Sequence, residues 1–313
     1  MSRVLILSKR ADDYRPLVEA ACLPGLEILV SAATPTDALA MGEDFDVVFG
    51  EPSLIRGVIA MLPNLRWVQS TYAGVEPLLD PTLRKDYLLT NARGVFGGLM
   101  SEYVFGYLLL HERHMLERYR AQQERRWDRR ITGTLRGKTL GLLGVGSIGT
   151  VLAGTARHFD MKVRGFTRAS ESCPDVNAYY HCPRLLEFAS DLDYLVSVLP
   201  NTSETVRIVD ASLLAQLPAH AVFINVGRGS AVDEPALVRA LQSGELAAAV
   251  LDVFDQEPLP STHPFWHTPN LLMTFHTSAP SIPADLARLF IDNYRRYAAG
   301  QPPLHVVDFE KGY

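Results

Sequence analysis

The stretch Thr139 to Gly149, T-L-G-L-L-G-V-G-S-I-G, limits what this chain can fold into more than any other. Leu140, Leu142 and Leu143 form a short apolar run that stops at a glycine, and an apolar-periodic segment from Val151 to Phe159 follows. This reads as strand, tight turn, helix. Gly144, Gly146 and Gly149 match G-x-G-x-x-G, in which the first glycine permits the turn. The second lets a pyrophosphate approach the backbone, and the third lets helix and strand pack closely. At Ser147 and Ile148 the helix N-terminus offers N–H groups and the positive end of its dipole to phosphates. A sharp turn without a ligand would satisfy the glycines alone, but with a strand before and a helix behind they point to a dinucleotide.

The rest of the chain repeats that alternation. Val4 to Leu7, Glu27 to Val30, Val47 to Phe49, Leu65 to Gln69 and Leu88 to Asn91 read as strands, with Tyr14 to Ala21 as an intervening helix. Parallel strands with crossover helices follow. The loop S-T-Y-A-G-V-E, Ser70 to Glu76, lies beyond the C-terminal end of one strand, where exposed amides at Ala73 and Gly74 could hold an anion or simply form a turn. The glycine-rich Arg93 to Gly98 marks a boundary. Beyond it Ser101 is positioned to cap one long helix from Glu102 to about Arg120. A second series has strands at Lys162 to Phe166, Tyr194 to Leu199, Ala221 to Val226, Ala247 to Leu251 and Leu271 to Thr274. Its helices lie at Leu185 to Ala189, Ser212 to Gln216 and Pro235 to Ser243, and Asp285 to Ala298 is a final amphipathic helix. The fold class is α/β, with two doubly wound parallel sheets.

The 313 residues suffice for two domains, and an apolar fraction of 47% supports a sizeable core. A net charge of −5 favours neither nucleic acid nor an anionic membrane. Arg125, Arg126, Arg129 and Arg130, around Trp127 and Asp128, read as the solvated end of the long helix or an interface rim. Three cysteines, Cys22, Cys173 and Cys182, are too few for a disulfide framework and wrongly spaced for a zinc site, so no metal is expected. The first residues enter a strand pattern without a signal-peptide core, and no run reaches membrane-spanning length, which makes the expected location cytoplasmic.

Three segments after strand ends carry candidate chemistry: N-V-G-R-G-S at Asn225 to Ser230, L-D-V-F-D-Q-E-P at Leu251 to Pro258, and F-H-T-S-A-P at Phe275 to Pro280. Arg228 between two glycines could aim its planar fork at a carboxylate. Singly, His276 reads as a structural histidine and Glu257 as a loop carboxylate. Together, Arg228, Glu257 and His276 supply the carboxylate anchor and proton donor that carbonyl reduction needs beside a hydride donor. Glu257 would orient the imidazole and favour its protonated form.

These residues resemble the D-isomer-specific 2-hydroxyacid dehydrogenases over nearly the whole chain. T-Y-A-G-V-E, the glycine fingerprint, L-P-N-T-S-E-T at Leu199 to Thr205, N-V-G-R-G-S, L-D-V-F-D-Q-E-P and His276 carry the resemblance, which is strongest to the glyoxylate/hydroxypyruvate reductase A branch. It implies a Rossmann cofactor domain, residues 99–280, inserted into a discontinuous flavodoxin-like substrate domain, residues 1–98 and 281–313, and a homodimer formed through the inserted domain. It further implies that Arg228 meets the substrate carboxylate and carbonyl, that His276 donates the proton with Glu257 as partner, and that Tyr72, Ala73 and Gly74 contact the substrate. Asp252 would meet the nicotinamide, while Leu199, Pro200, Thr205, Val226, Gly227 and Ser278 would line the cofactor site. Phe275 stands where the family commonly has proline. A corepressor-like dinucleotide sensor is the alternative within the resemblance, although Arg228, Glu257 and His276 are all present. Formate dehydrogenation typically pairs the histidine with glutamine, unlike Glu257. Which 2-oxoacid fits depends on loops around Tyr72, Leu99, Met100 and Trp266.

NADP(H) is expected in preference to NAD(H), although NAD(H) remains usable. NAD sites of this fold carry an acidic side chain roughly 20 residues beyond the glycine loop. Thr167 stands there instead, followed by Arg168, whose guanidinium suits a 2′-phosphate with help from Thr167 and Ser170.

Overall fold

The strands β1 (Ser2–Leu7), β2 (Leu26–Ala32), β3 (Val47–Gly50), β4 (Trp67–Ser70) and β5 (Leu88–Thr90) pair in parallel in the order β2-β1-β3-β4-β5. β3 and β4 are buried at every position, the pattern of strands covered on both faces. This order reverses direction between β1 and β3, as in flavodoxin-like sheets. The protein, seen here as a computed structural model that describes residues 1–312, divides into two compact units. Met1–Phe96 and Ser281–Tyr313 make the first, and Gly97–Pro280 the second.

The C-terminal helix Pro283–Ala298 belongs to the first unit because its buried face is aromatic. Phe290 stacks on Phe49 at 4.7 Å and on Trp67 at 5.4 Å, and burying such a ring stabilises by about 1.5–3 kcal/mol. Asn293 donates to Gln69 Oε1 at 2.8 Å, and beyond the helix the Val307 amide donates to the Leu89 carbonyl at 2.8 Å. The returning tail is therefore stitched to β4 and β5.

The second unit holds β6 (Thr139–Leu143), β7 (Lys162–Phe166), β8 (Ala178–Tyr180), β9 (Tyr194–Ser197), β10 (Val222–Asn225), β11 (Ala248–Leu251) and β12 (Leu271–Met273). All pair in parallel, in the order β12-β11-β10-β9-β6-β7-β8. This is the doubly wound order with one strand added at an edge, and it reverses between β6 and β9. Two apolar clusters, around Phe223 and Leu237 and around Leu140 and Ile224, form the core. A representative helix, Glu234–Ser243, begins at Asp233, whose side chain accepts from the Ala236 amide, and ends at Gly244 with φ +78°.

Three local expectations are corrected. The long helix starts at Gly97 rather than Glu102 and breaks after Glu112, before a second helix Met115–Gln123. Ser101 is not a cap. Its hydroxyl donates to Thr155 Oγ1 at 2.7 Å in the helix Ser147–His158, so helix packing extends the first helix towards its N-terminus. The break falls at His114, with φ +50°, where nothing in the local sequence announces a stop. The Arg125–Arg130 cluster consequently lies beyond the helix, where Asp128 pairs with Arg126 and Arg130. β8 was not anticipated because three residues are too few to show a period. No described helix is long and apolar enough to cross a membrane.

Candidate active site

The glycine turn sits at the reversal point of the second sheet. Gly144 has φ +96°, which a side chain would resist, and its amide donates to the Phe166 carbonyl at 2.9 Å. A β-carbon on Gly149 would collide with the Gly144 carbonyl, so close packing of helix on strand requires glycine there. A β-carbon on Gly146 would meet nothing within 4 Å. The helix Ser147–His158 starts without a side-chain cap. Open backbone, uncapped amides at Ser147 and Ile148 and a dipole end fit a pyrophosphate.

At the end of β7, Thr167 Oγ1 donates to the Ser170 carbonyl at 2.7 Å, which closes a small loop around Arg168. His181 joins it: Nδ1 lies 2.8 Å from the Thr167 carbonyl and Nε2 2.8 Å from Glu171. The Glu171 carboxylate and then the Thr167 carbonyl raise the imidazole pKa above its ordinary value. Arg168 ion-pairs with Glu204 at 2.7 Å. No acidic residue occupies the position of Thr167, but Glu204 and Glu171 both reach this loop, which the sequence did not indicate.

The loops after β9 and β10 meet. Gly227 packs on the Leu199 backbone, and its amide donates at 3.1 Å to Asn225 Oδ1 on a fully buried side chain. Asn225 Nδ2 donates in turn to the Arg228 carbonyl at 2.9 Å, which holds the half-buried Arg228 in extended backbone. Val226 is buried beneath. Thr205 Oγ1 donates to the Pro200 carbonyl at 2.7 Å, tightening the turn from Leu199 onward. Gly229 has no side chain because one would fall on the Phe254 carbonyl, and this close approach sets the arginine loop against the loop that carries Glu257.

Asp252, fully buried at the end of β11, organises the histidine loop. Its carboxylate accepts from Thr274 Oγ1 at 2.5 Å, from the Thr277 amide at 2.9 Å and from the Ser278 amide at 3.1 Å. The His276 amide donates to the Asp252 carbonyl at 2.7 Å. These bonds hold His276 at φ +56°, a left-handed conformation that costs a non-glycine residue about 1–2 kcal/mol. Glu257 completes the arrangement, with Oε1 accepting from the Phe254 amide at 3.0 Å and Oε2 lying 2.8 Å from His276 Nδ1. The histidine side chain stays 57% accessible, leaving Nε2 as the edge that can face a reactant. Phe275 lies 5.8 Å from Trp266 and 6.5 Å from Phe254, ring to ring.

In the first unit, the loop after β4 is pinned by Ser70, whose hydroxyl donates to the Tyr72 carbonyl at 2.8 Å and accepts from the Tyr72 amide at 2.9 Å. Asn91 donates to the Ala73 carbonyl at 2.9 Å. The Ala73 and Gly74 amides have no acceptor among the described residues. Burial, then the Glu51 carboxylate, raises the Tyr72 phenol pKa. Glu51 was missed in the sequence. Buried at the end of β3, it accepts from Ser8 Oγ at 2.7 Å and the Lys9 amide at 2.8 Å, tying β1 to β3 where the sheet reverses.

Several known proteins are similar to this chain. The description "D-isomer specific 2-hydroxyacid dehydrogenase, NAD binding domain" matches residues 105–278, more than half of the chain. Glyoxylate/hydroxypyruvate reductase A of Yersinia enterocolitica is 32% identical over 277 residues, covering 86% of this chain and 88% of its own length. A D-isomer specific 2-hydroxyacid dehydrogenase family protein from Aeromonas salmonicida superposes with a TM-score of 0.92 at 42% identity, covering 98% of this chain and 99% of that one. A D-isomer specific 2-hydroxyacid dehydrogenase from Xanthobacter autotrophicus Py2, solved with NADPH and MES, gives 0.90 at 34% identity over the full length of both chains.

Proposed function

Since the chain belongs to the D-isomer specific 2-hydroxyacid dehydrogenase family, we propose that it reduces a small 2-oxoacid, such as glyoxylate or hydroxypyruvate, to the D-2-hydroxyacid with NADPH. NADH is the poorer donor in this reading. When bound, the cofactor supplies the hydride that goes to the carbonyl carbon. The chain's own groups do the rest. His276 Nε2 gives a proton to the carbonyl oxygen, while the Nδ1 contact with Glu257 fixes the ring. Arg228 pairs its fork with the substrate carboxylate and polarises the carbonyl as charge grows on the oxygen. The Ala73 and Gly74 amides, beside Tyr72, are the further carboxylate contacts that the family resemblance implies.

Amides at Gly146, Ser147 and Ile148 receive the pyrophosphate, and Thr167, Arg168 and Ser170 the 2′-phosphate. Leu199, Pro200, Thr205, Val226 and Gly227 line the cofactor's path. Asp252 and Ser278 hold the loop at its nicotinamide end. The observation that carries the reading is the His276–Glu257 pair, fixed by a buried aspartate on a loop set beside that of Arg228. The names of the Yersinia and Xanthobacter relatives support the substrate and the cofactor respectively. A homodimer belongs to the same reading.

The test is a panel of glyoxylate, hydroxypyruvate, pyruvate and phenylpyruvate with each reduced cofactor. Turnover of at least one small 2-oxoacid, with higher kcat/KM for NADPH, is the expected result. Tight NADPH binding with no turnover of any of them would turn the reading towards a dinucleotide sensor.

A further inference from the structure

We propose that Glu204 is a specificity-determining residue of the cofactor cradle. Its carboxylate stands on Arg168 where the 2′-phosphate would stand, so NADPH binds by exchanging one anion for another. The inference rests on the NADPH reading above and adds to it a residue that works against the phosphate.

Arg168 follows β7 and Glu204 lies in the loop that follows β9, while β6 runs between those two strands. Strands two apart in a sheet are separated by roughly 10 Å. The 2.7 Å ion pair therefore reaches over the C-terminal end of β6, above the glycine turn. That turn touches both neighbours: the Gly144 amide bonds to Phe166 at the end of β7, and a β-carbon on Gly144 would lie 3.3 Å from Val198 just after β9. The Glu204 loop is held in shape, because Thr205 Oγ1 donates to the Pro200 carbonyl at 2.7 Å and accepts from the Thr202 amide at 2.9 Å. The carboxylate is thus presented across the crevice by an ordered turn.

Both partners are largely accessible, Arg168 at 56% and Glu204 at 66%. An accessible pair is weak and easily exchanged. A phosphate with nearly two charges and three acceptor oxygens outcompetes a carboxylate for a guanidinium, but it must first displace it. A cofactor without the 2′-phosphate has nothing to exchange and leaves the pair intact. Glu204 accordingly weakens NADPH binding, leaves NADH binding alone, and returns to the arginine as the cofactor departs.

Titration calorimetry with the adenosine fragments 2′,5′-ADP and 5′-AMP isolates the effect from turnover. In Glu204→Gln, 2′,5′-ADP is expected to bind roughly two- to fivefold tighter, the range set by exposed ion pairs, with 5′-AMP unchanged. Equal tightening of both fragments, which would make the carboxylate a mere obstruction, overturns the proposal, and so does no change in either. Arg168→Ala is the control on the underlying reading. If it fails to weaken 2′,5′-ADP relative to 5′-AMP, the NADPH reading is at fault; if it succeeds while Glu204→Gln is silent, only the role of Glu204 falls.

Discussion

The histidine loop and the Arg168 loop, both at C-terminal strand ends of the second unit, are held by opposite means. Thr274 to Ser278 hangs from a carboxylate with no solvent access, which accepts two backbone amides and a hydroxyl. Thr167 to Ser170 is tied by one hydroxyl, a surface imidazole and an accessible ion pair. Charge-assisted bonds away from water are strong and leave little freedom, whereas surface pairs exchange readily. On the proposed roles, a proton donor has to be held to within a fraction of an ångström, whereas a phosphate site has to let its ligand in and out. The contrast implies large, geometry-dependent losses at the first loop and small, charge-dependent ones at the second.

The largest expected effect is that of His276→Gln, with kcat lowered about a hundred- to ten-thousandfold and NADPH binding retained. Near-normal turnover would remove His276 as the acid. Asp252→Asn comes next, because its amide nitrogen must face a donor that the carboxylate now accepts from. Each such charge-assisted bond is worth about 1.5–3 kcal/mol, so thermal unfolding should fall by roughly 5–10 °C, with kcat down about ten- to a hundredfold as the histidine drifts. An unaltered Tm and kcat would mean that the histidine loop holds itself.

At the other loop the effects should be smaller and confined to one cofactor. Arg168→Ala is expected to raise the KM for NADPH by about tenfold, the scale of a charge-assisted contact, without changing kcat or the KM for NADH. A matching rise for NADH would signal a structural role instead. The smallest effect is a pH dependence. With its pKa raised by Glu171, His181 remains cationic to higher pH than an ordinary histidine and loses that charge as pH climbs through the raised value. The cation favours a 2′-phosphate, so the KM for NADPH should rise a few-fold over that interval while that for NADH stays level. His181→Gln should flatten the profile; a slope surviving in it would point to another group.

Much of this molecule is legible in the order of its residues. Strands that are buried on both faces must be short apolar runs, and the tight turns between strand and helix need glycine, so Thr139 to Gly149 declares itself. Arg228, Glu257 and His276 stand out as candidates because each follows such a run. The helix break at His114 is not, since the sequence there contains neither glycine nor proline and packing decides where the chain turns. β8 is hidden by its length.

What the sequence by itself determined is the set of strand-end loops and the residue types on them, because solvent exclusion writes the strand pattern locally. Only the tertiary structure decided which side chains answer to one another. Asp252 reaches Thr277 and Ser278 because β11 lies beside β12, and Glu204 reaches Arg168 because β9 and β7 flank β6. Strand order and register place those partners, and both are set by how the whole sheet packs between its two helical layers, not by any stretch short enough to read along the chain.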